Sequence, residues 1–138
     1  MTKKVFIDGE TGTTGLLIRE HLQSREEIQL VTVPDGSRRK LSARAEALNA
    51  ADLSILCLPE AASREAVSLI ENAETKVIDT SIAYRTDPQW VFGFPEYSLG
   101  QREKIQKARR VTNPGCYACG AIAILHPLIV SGIITEDY

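Results

Sequence analysis

Val5-Phe6-Ile7-Asp8-Gly9-Glu10-Thr11-Gly12-Thr13-Thr14-Gly15-Leu16-Leu17-Ile18 decides how this chain folds. Val5 to Asp8 is a short apolar run that stops at a glycine turn, so it reads as a first strand. From Thr13 to about Ser24, Leu16, Leu17, Ile18 and Leu22 recur at helical spacing and predict a helix with one apolar stripe. Between strand and helix stands G-x-x-G-x-x-G, made by Gly9, Gly12 and Gly15. In that position glycines permit a tight turn and close backbone approach, while the helix start offers N–H groups to a pyrophosphate. Gly9, Thr11, Gly12, Thr13, Thr14 and Gly15 are therefore the first candidate ligand contacts.

Working outward, strands and helices alternate. Ile28 to Val33 predicts a second strand, closed by Pro34-Asp35-Gly36, and Ser42 to Asn49 a helix. Leu53 to Leu58 is a continuous apolar run of the kind a buried parallel strand shows. Pro59 opens a helix with Ala62, Ala66, Val67 and Ile70 on its inner face, and Val77-Ile78-Asp79 is a fourth strand. Thr80 to Gln89 reads as loop, Trp90 to Phe94 as at most a short strand, and Glu96 to Lys107 as a surface helix. Arg110-Val111-Thr112 is a short strand that feeds a last helix from Pro114 to about Leu125, with its continuation through Pro127 left open. This alternation specifies an α/β class, a Rossmann-like doubly wound and mostly parallel sheet with helices on both faces.

Cofactor type is read after the second strand. Asp35 there suits a free ribose 2′-hydroxyl, but Ser37-Arg38-Arg39-Lys40 follows at once. Cations and a hydroxyl clustered so tightly form a phosphate clamp, with arginine able to bind bidentately, so Ser37, Arg38 and Lys40 favour NADP over NAD. Leu58 and Pro59 are placed against the adenosine or ribose, and Ser81 beside the nicotinamide end.

Asn113-Pro114-Gly115-Cys116-Tyr117 carries the second chemical signal. Asn113 suits an N-cap and Pro114 a first helical position, which sets Cys116 in the first turn. Free N–H groups and the helix dipole there favour a thiolate, the nucleophilic form, so Cys116 is the candidate catalytic residue. Arg85, in the loop after the fourth strand, and Asn113 are candidate substrate contacts.

Length and composition bound the rest. The chain has 138 residues, 43% apolar and 25% charged, as for one soluble globular domain. A net charge of −2 argues against a general nucleic-acid or anionic-membrane surface. The stretch from Ala118 to Val130 is apolar but too short to span a bilayer. Three cysteines, with Met1 to Val5 running straight into a strand, lead us to expect a cytoplasmic protein.

With these motifs in hand the chain resembles N-acetyl-γ-glutamyl-phosphate reductase of arginine biosynthesis, in its shorter bacterial type. Asp8 to Gly15, Cys57-Leu58-Pro59, Asp79-Thr80-Ser81, Gly93-Phe94-Pro95-Glu96 and Asn113 to Tyr117 carry the resemblance, in order along nearly the whole chain. It implies NADPH-dependent reductive dephosphorylation of N-acetylglutamyl 5-phosphate to N-acetylglutamate 5-semialdehyde through a Cys116 thioester. It also implies a small acyl-phosphate substrate and a homo-oligomeric parent protein. Members of that family are about twice as long, with a second α+β domain that supplies a catalytic histidine. Here His21 and His126 are the only histidines, and neither matches it. We therefore expect residues 1–115 to form the dinucleotide-binding domain and 116–138 the nucleophile helix and the start of the missing domain. Such a truncated form is expected to be nearly inactive alone, and Ile122, Ile124 and Leu128 are expected to face the absent domain.

Other readings stay open. Aspartate-semialdehyde dehydrogenases share the fold, and a non-catalytic NADP-binding module needs no nucleophile. Cys116-Tyr117-Ala118-Cys119 is also a C-x-x-C at a helix start, as in thioredoxin-like redox proteins. No second such pair accompanies it, so no metal site is assigned.

Overall fold

A computed structural model describes residues 2–135 and 137. Met1, Glu136 and Tyr138, which fall within the two segments assigned from sequence, lie outside the described residues. Six parallel strands form one sheet in the order β2-β1-β3-β4-β6-β5. The chain runs β1 (Lys3–Asp8), α1 (Thr13–Gln23), β2 (Ile28–Val31), α2 (Leu41–Ala50), β3 (Leu53–Leu56), α3 (Glu60–Ser68) and β4 (Lys76–Asp79). It continues with β5 (Val91–Phe92), α4 (Gln101–Lys107), β6 (Arg110–Thr112) and α5 (Cys116–Val130). Short 3-10 turns cover Asp35–Ser37 and Pro95–Tyr97.

Alternation along β1 divides its side chains between the two faces of the sheet. Phe6 joins Val33, Ala47, Leu48, Ala51, Leu56, Ala66 and Val77 in the core cluster, so α2 and α3 cover that face. Val5 and Ile7 are equally buried but point to the other face. Right-handed crossovers explain the split: β1 to β2 steps toward one edge and β2 to β3 steps back, so α1 and α2 fall on opposite sides. The doubly wound Rossmann-like sheet is thus the one the sequence predicts.

The reversal of direction between β1 and β3 opens a crevice at their carboxyl ends. Asp8, at the end of β1, is buried and takes two bonds from Arg44 of α2, at 3.1 Å from Nε and 2.9 Å from Nη2. Arg44 also reaches Glu65 of α3 at 2.9 Å. Burial lowers the affinity of Arg44 for its proton, but the two carboxylates outweigh it and leave the guanidinium firmly charged. One arginine therefore ties β1, α2 and α3 together directly beneath the glycine loop.

β6 inserts between β4 and the earlier β5, which brings the start of α5 beside the end of β4. The backbone N–H of Asn113, one residue past β6, donates to the Asp79 carbonyl at 2.7 Å, so Asn113 is held against β4. It is not the N-cap. Gly115 holds that position and Cys116 is the first helical residue, while the Asn113 amide donates to the Pro114 carbonyl at 3.2 Å. Along the α1 stripe, Gly15 is buried, Ile18 and Leu22 are half-buried, and Leu16 and Leu17 are about half exposed at 48% and 52%. α5 continues through Pro127 to Val130, a point the sequence left open, and none of its residues is buried.

Candidate functional site

Two clusters stand at the carboxyl edge of the sheet. The first is an open cleft of about 620 Å³ between the ends of β1, β2 and β3. Gly9, Glu10 and Thr11 form one wall, Val33, Asp35, Arg38 and Arg39 another, and Leu58 and Ala62 a third. Gly9 has φ +93°, and a Cβ there would overlap the Cys57 carbonyl oxygen. A Cβ on Gly15 would overlap the Gly9 carbonyl oxygen, so α1 closes on the loop only over glycine. Gly12 is different: a Cβ would meet nothing nearer than the Gly9 carbonyl oxygen at 3.4 Å. The protein's own packing tolerates a side chain there. Gly12 is also the N-cap of α1, followed by Thr13 and Thr14, so free N–H groups face the anion position. These observations fit a dinucleotide.

The basic run contributes unevenly. Arg38 and Arg39 line the cleft, whereas Ser37 and Lys40 do not, Lys40 being the exposed N-cap of α2. Leu58 lines it too; Pro59 instead caps α3 and is exposed. Arg38 is engaged by two carboxylates, Glu10 and Asp35, each at 2.8 Å. Sequence reasoning missed Asp8, Glu10 and Arg44. Asp8 carried a signal, because a carboxylate ending a buried apolar strand demands a cation.

The second cluster lies where β4 and β6 end. Asp79 is fully buried, accepts a bond from the Ser63 hydroxyl of α3 and another from Ser81 at 2.7 Å. Ser81 in turn accepts from the Ala83 N–H at 3.0 Å. This network shapes the loop after β4, and Ser81 spends its hydroxyl within it. Arg85 follows on that loop, donating to the Thr80 carbonyl at 3.2 Å, and its guanidinium lies against Gly115: a Cβ there would stand 2.8 Å from Arg85 Nη1. Arg85 Nε is buried without a partner among the described residues. A cation thus sits against the residue that precedes Cys116. Cys116 itself is exposed at the first position of α5, where the opening N–H groups have no intrahelical carbonyl to pair with.

Tyr84 and Trp90 brace the same loop from behind. Their rings stack at 4.1 Å, with Arg64 over Tyr84 at 5.2 Å and Arg110 over Trp90 at 5.6 Å. Cys57, half-buried at the end of β3, has its thiol pushed up by burial, in keeping with a packing role. His126 stacks on Tyr97 with ring centroids 6.2 Å apart, and ten helical residues separate it from Cys116, roughly 15 Å of rise. His21 is exposed on α1. Neither histidine serves the thiol. Among the described residues no helix is long and apolar enough to cross a membrane.

Comparison with known proteins agrees with this geometry. The family profile described as semialdehyde dehydrogenase, NAD binding domain, matches residues 4–108. A protein of Burkholderia lata named N-acetyl-gamma-glutamyl-phosphate reductase is 58% identical over 97% of this chain and 42% of its own length. One of the same name from Brucella ovis is 52% identical over 100% of this chain and 45% of its own length. This chain therefore spans less than half the length of either relative. Aspartate semialdehyde dehydrogenase of Candida albicans, solved with NADP, superposes with a TM-score of 0.65 at 16% identity, covering 95% of this chain and 48% of that one. The glycine cleft, the parallel sheet around it and the profile match coincide: the chain belongs to the semialdehyde dehydrogenase family, whose NAD-binding domain it carries.

Proposed function

We propose that this chain is the cofactor-binding and nucleophile-bearing part of an NADP-dependent acyl-phosphate reductase that converts N-acetylglutamyl 5-phosphate to N-acetylglutamate 5-semialdehyde. One observation carries the reading. A nucleotide cleft and an exposed helix-start cysteine with an arginine against it stand at the same edge of one parallel sheet, in a chain more than half identical to proteins of that name.

Each residue takes a role its surroundings permit. Thr13, Thr14 and Gly15 offer the pyrophosphate the unpaired opening N–H groups of α1, while Gly9, Thr11 and Gly12, whose N–H is bonded to the Gly9 carbonyl, shape the loop around it. Arg38, with Arg39, receives the ribose 2′-phosphate and Leu58 borders the adenosine, whereas Ser37, Lys40 and Pro59 do not line the cleft. Ser81 fixes the loop at the nicotinamide end. Cys116 attacks the acyl carbon, a C–S bond forms, and the C–O bond to phosphate breaks, leaving a thioester. Arg85 holds the departing phosphate or the substrate carboxylate, and Asn113 orients the acyl group. The opening N–H groups of α5 receive the oxyanion. When bound, NADPH supplies the hydride that takes the thioester to the aldehyde level, after which the Cys116 sulfur leaves.

The family resemblance implies a histidine as the partner for proton transfer, and neither His21 nor His126 stands near the thiol. Within the proposal residues 1–115 are the dinucleotide domain and 116–138 open a substrate and dimerisation domain. The profile match ending at residue 108 and the absence of buried residues on α5 support that division. The setting proposed is the cytoplasm, with a homo-oligomeric parent and no nucleic-acid or membrane partner.

The half-reaction is testable on the chain itself. N-acetylglutamyl phosphate is expected to add one acyl group at Cys116, seen by intact mass and peptide mapping, with stoichiometric release of phosphate. Cys116→Ser is expected to abolish the adduct. A wild-type chain that binds NADPH yet forms no adduct would mean that acylation needs groups beyond these residues, and a full-length parent that also forms none would make it a non-catalytic binding module.

A further inference from the structure

Glu10 lies inside the nucleotide cleft, yet neither of its carboxylate oxygens is free for a ligand. Oε2 accepts from Arg19 Nη1 of α1 at 3.1 Å, and Oε1 lies 2.8 Å from Arg38 Nη2. Its side chain is 11% exposed, against 32% for Arg38. The same Arg38 nitrogen pairs with Asp35 at 2.8 Å, and Arg38 Nε donates to the Val33 carbonyl at 3.4 Å. Asp35, however, is 87% exposed. The two carboxylates on one arginine are therefore unequal.

An exposed ion pair is screened and weak, so an incoming anion displaces Asp35 readily. Glu10 is shielded from solvent and anchored a second time by Arg19, so it stays. A free arginine side chain samples many rotamers and loses that freedom when it grips a ligand. A guanidinium already held over the cleft has lost it in advance. Because Arg19 and Arg38 balance its charge, Glu10 places no bare anion beside an incoming phosphate.

We infer that Glu10 is a positioning residue for cofactor discrimination: it holds Arg38 over the cleft to receive a ribose 2′-phosphate, and Asp35 is the carboxylate that yields its place. The inference rests on the dinucleotide reading of the cleft. It also means that the pyrophosphate loop and the 2′-phosphate clamp are one unit, joined through a single side chain.

Calorimetric titration of the 138-residue chain with adenosine 2′,5′-diphosphate and with 5′-AMP isolates the 2′-phosphate as the ratio of two dissociation constants. Wild type is expected to prefer the diphosphate. Glu10→Gln is expected to lower the ratio about three- to tenfold, the loss when Arg38 occupies its binding pose only about a tenth to a third of the time. Binding of 5′-AMP should stay within about twofold, which a general loss of structure would not allow. In an Arg38→Ala background Glu10→Gln should change the ratio no further, and Asp35→Asn alone should raise it.

An unchanged or raised ratio in Glu10→Gln, or an effect that persists without Arg38, overturns the inference. Should Glu10→Gln not fold, Arg19→Gln frees only the second anchor; a smaller loss of the same sign supports the inference and an unchanged ratio overturns it. Equal binding of both probes by wild type leaves the dinucleotide reading standing and removes the inference, whereas binding of neither removes both.

Discussion

Cys57 and Cys116 share a side chain but not an environment. Cys116 is exposed at a helix start, Cys119 is half-buried one turn on, and Cys57 lies at the end of β3 with its thiol pushed up by burial. A raised pKa means less thiolate at any given pH, and only the thiolate alkylates. Iodoacetamide at pH 8 is therefore expected to label Cys116 first and Cys57 last, as read by peptide mass mapping. Cys57 should gain reactivity only at a pH above that of a free thiol in the unfolded chain; equal labelling at pH 8 would contradict this burial. The helix-start placement of Cys116 was legible in the sequence because its signal is local, a Pro-Gly pair ahead of an apolar helix. The roles of Glu10 and Asp79 were not, because their partners arrive from other elements: Arg19 and Arg38 for one, Ser63 of α3 for the other.

Strand, loop and helix behave as one device at the β1–α1 junction. Gly9 has φ +93° and Gly15 is sealed against the loop, so a methyl group at either forces backbone to move. Gly9→Ala and Gly15→Ala are each expected to destabilise the chain by about 2 kcal/mol or more, measured by urea unfolding. Gly12→Ala has room and should unfold like wild type, within about 0.5 kcal/mol, while losing most of its nucleotide affinity. Destabilisation by Gly12→Ala would show that all three glycines answer to packing alone. Element order and type were readable from apolar runs, since each strand is continuous and each helix follows a turn. Edges were less so. Asn113 looks like an N-cap, but just past β6 its N–H bonds the Asp79 carbonyl, and only the tertiary pairing reveals that. In α1 it is Gly15 that is buried, which no hydrophobic pattern records.

At the scale of the molecule, apolar surface is left in the open along α5. Tyr117, Ile124, Leu125, Val130 and Ile133 are 92%, 64%, 47%, 73% and 70% exposed along and just beyond α5. Of the positions expected to face outward, Ile124 is exposed and Ile122 and Leu128 are half-covered. Clustered exposure of this kind binds environment-sensitive dyes. Anilinonaphthalene sulfonate is expected to brighten with the folded chain, and Ile124→Lys with Val130→Lys should dim it while shifting stability by no more than about 0.5 kcal/mol each. Dye emission unaffected by both changes would place the binding surface elsewhere. The aromatic stack behind the Arg85 loop has a different bearing. Trp90 is the single tryptophan of the chain, wedged between the Tyr84 ring and the Arg110 guanidinium. Its fluorescence therefore issues from one address, the bracing of the loop that carries Ser81 and Arg85, and the protein holds a built-in optical gauge of that loop's order.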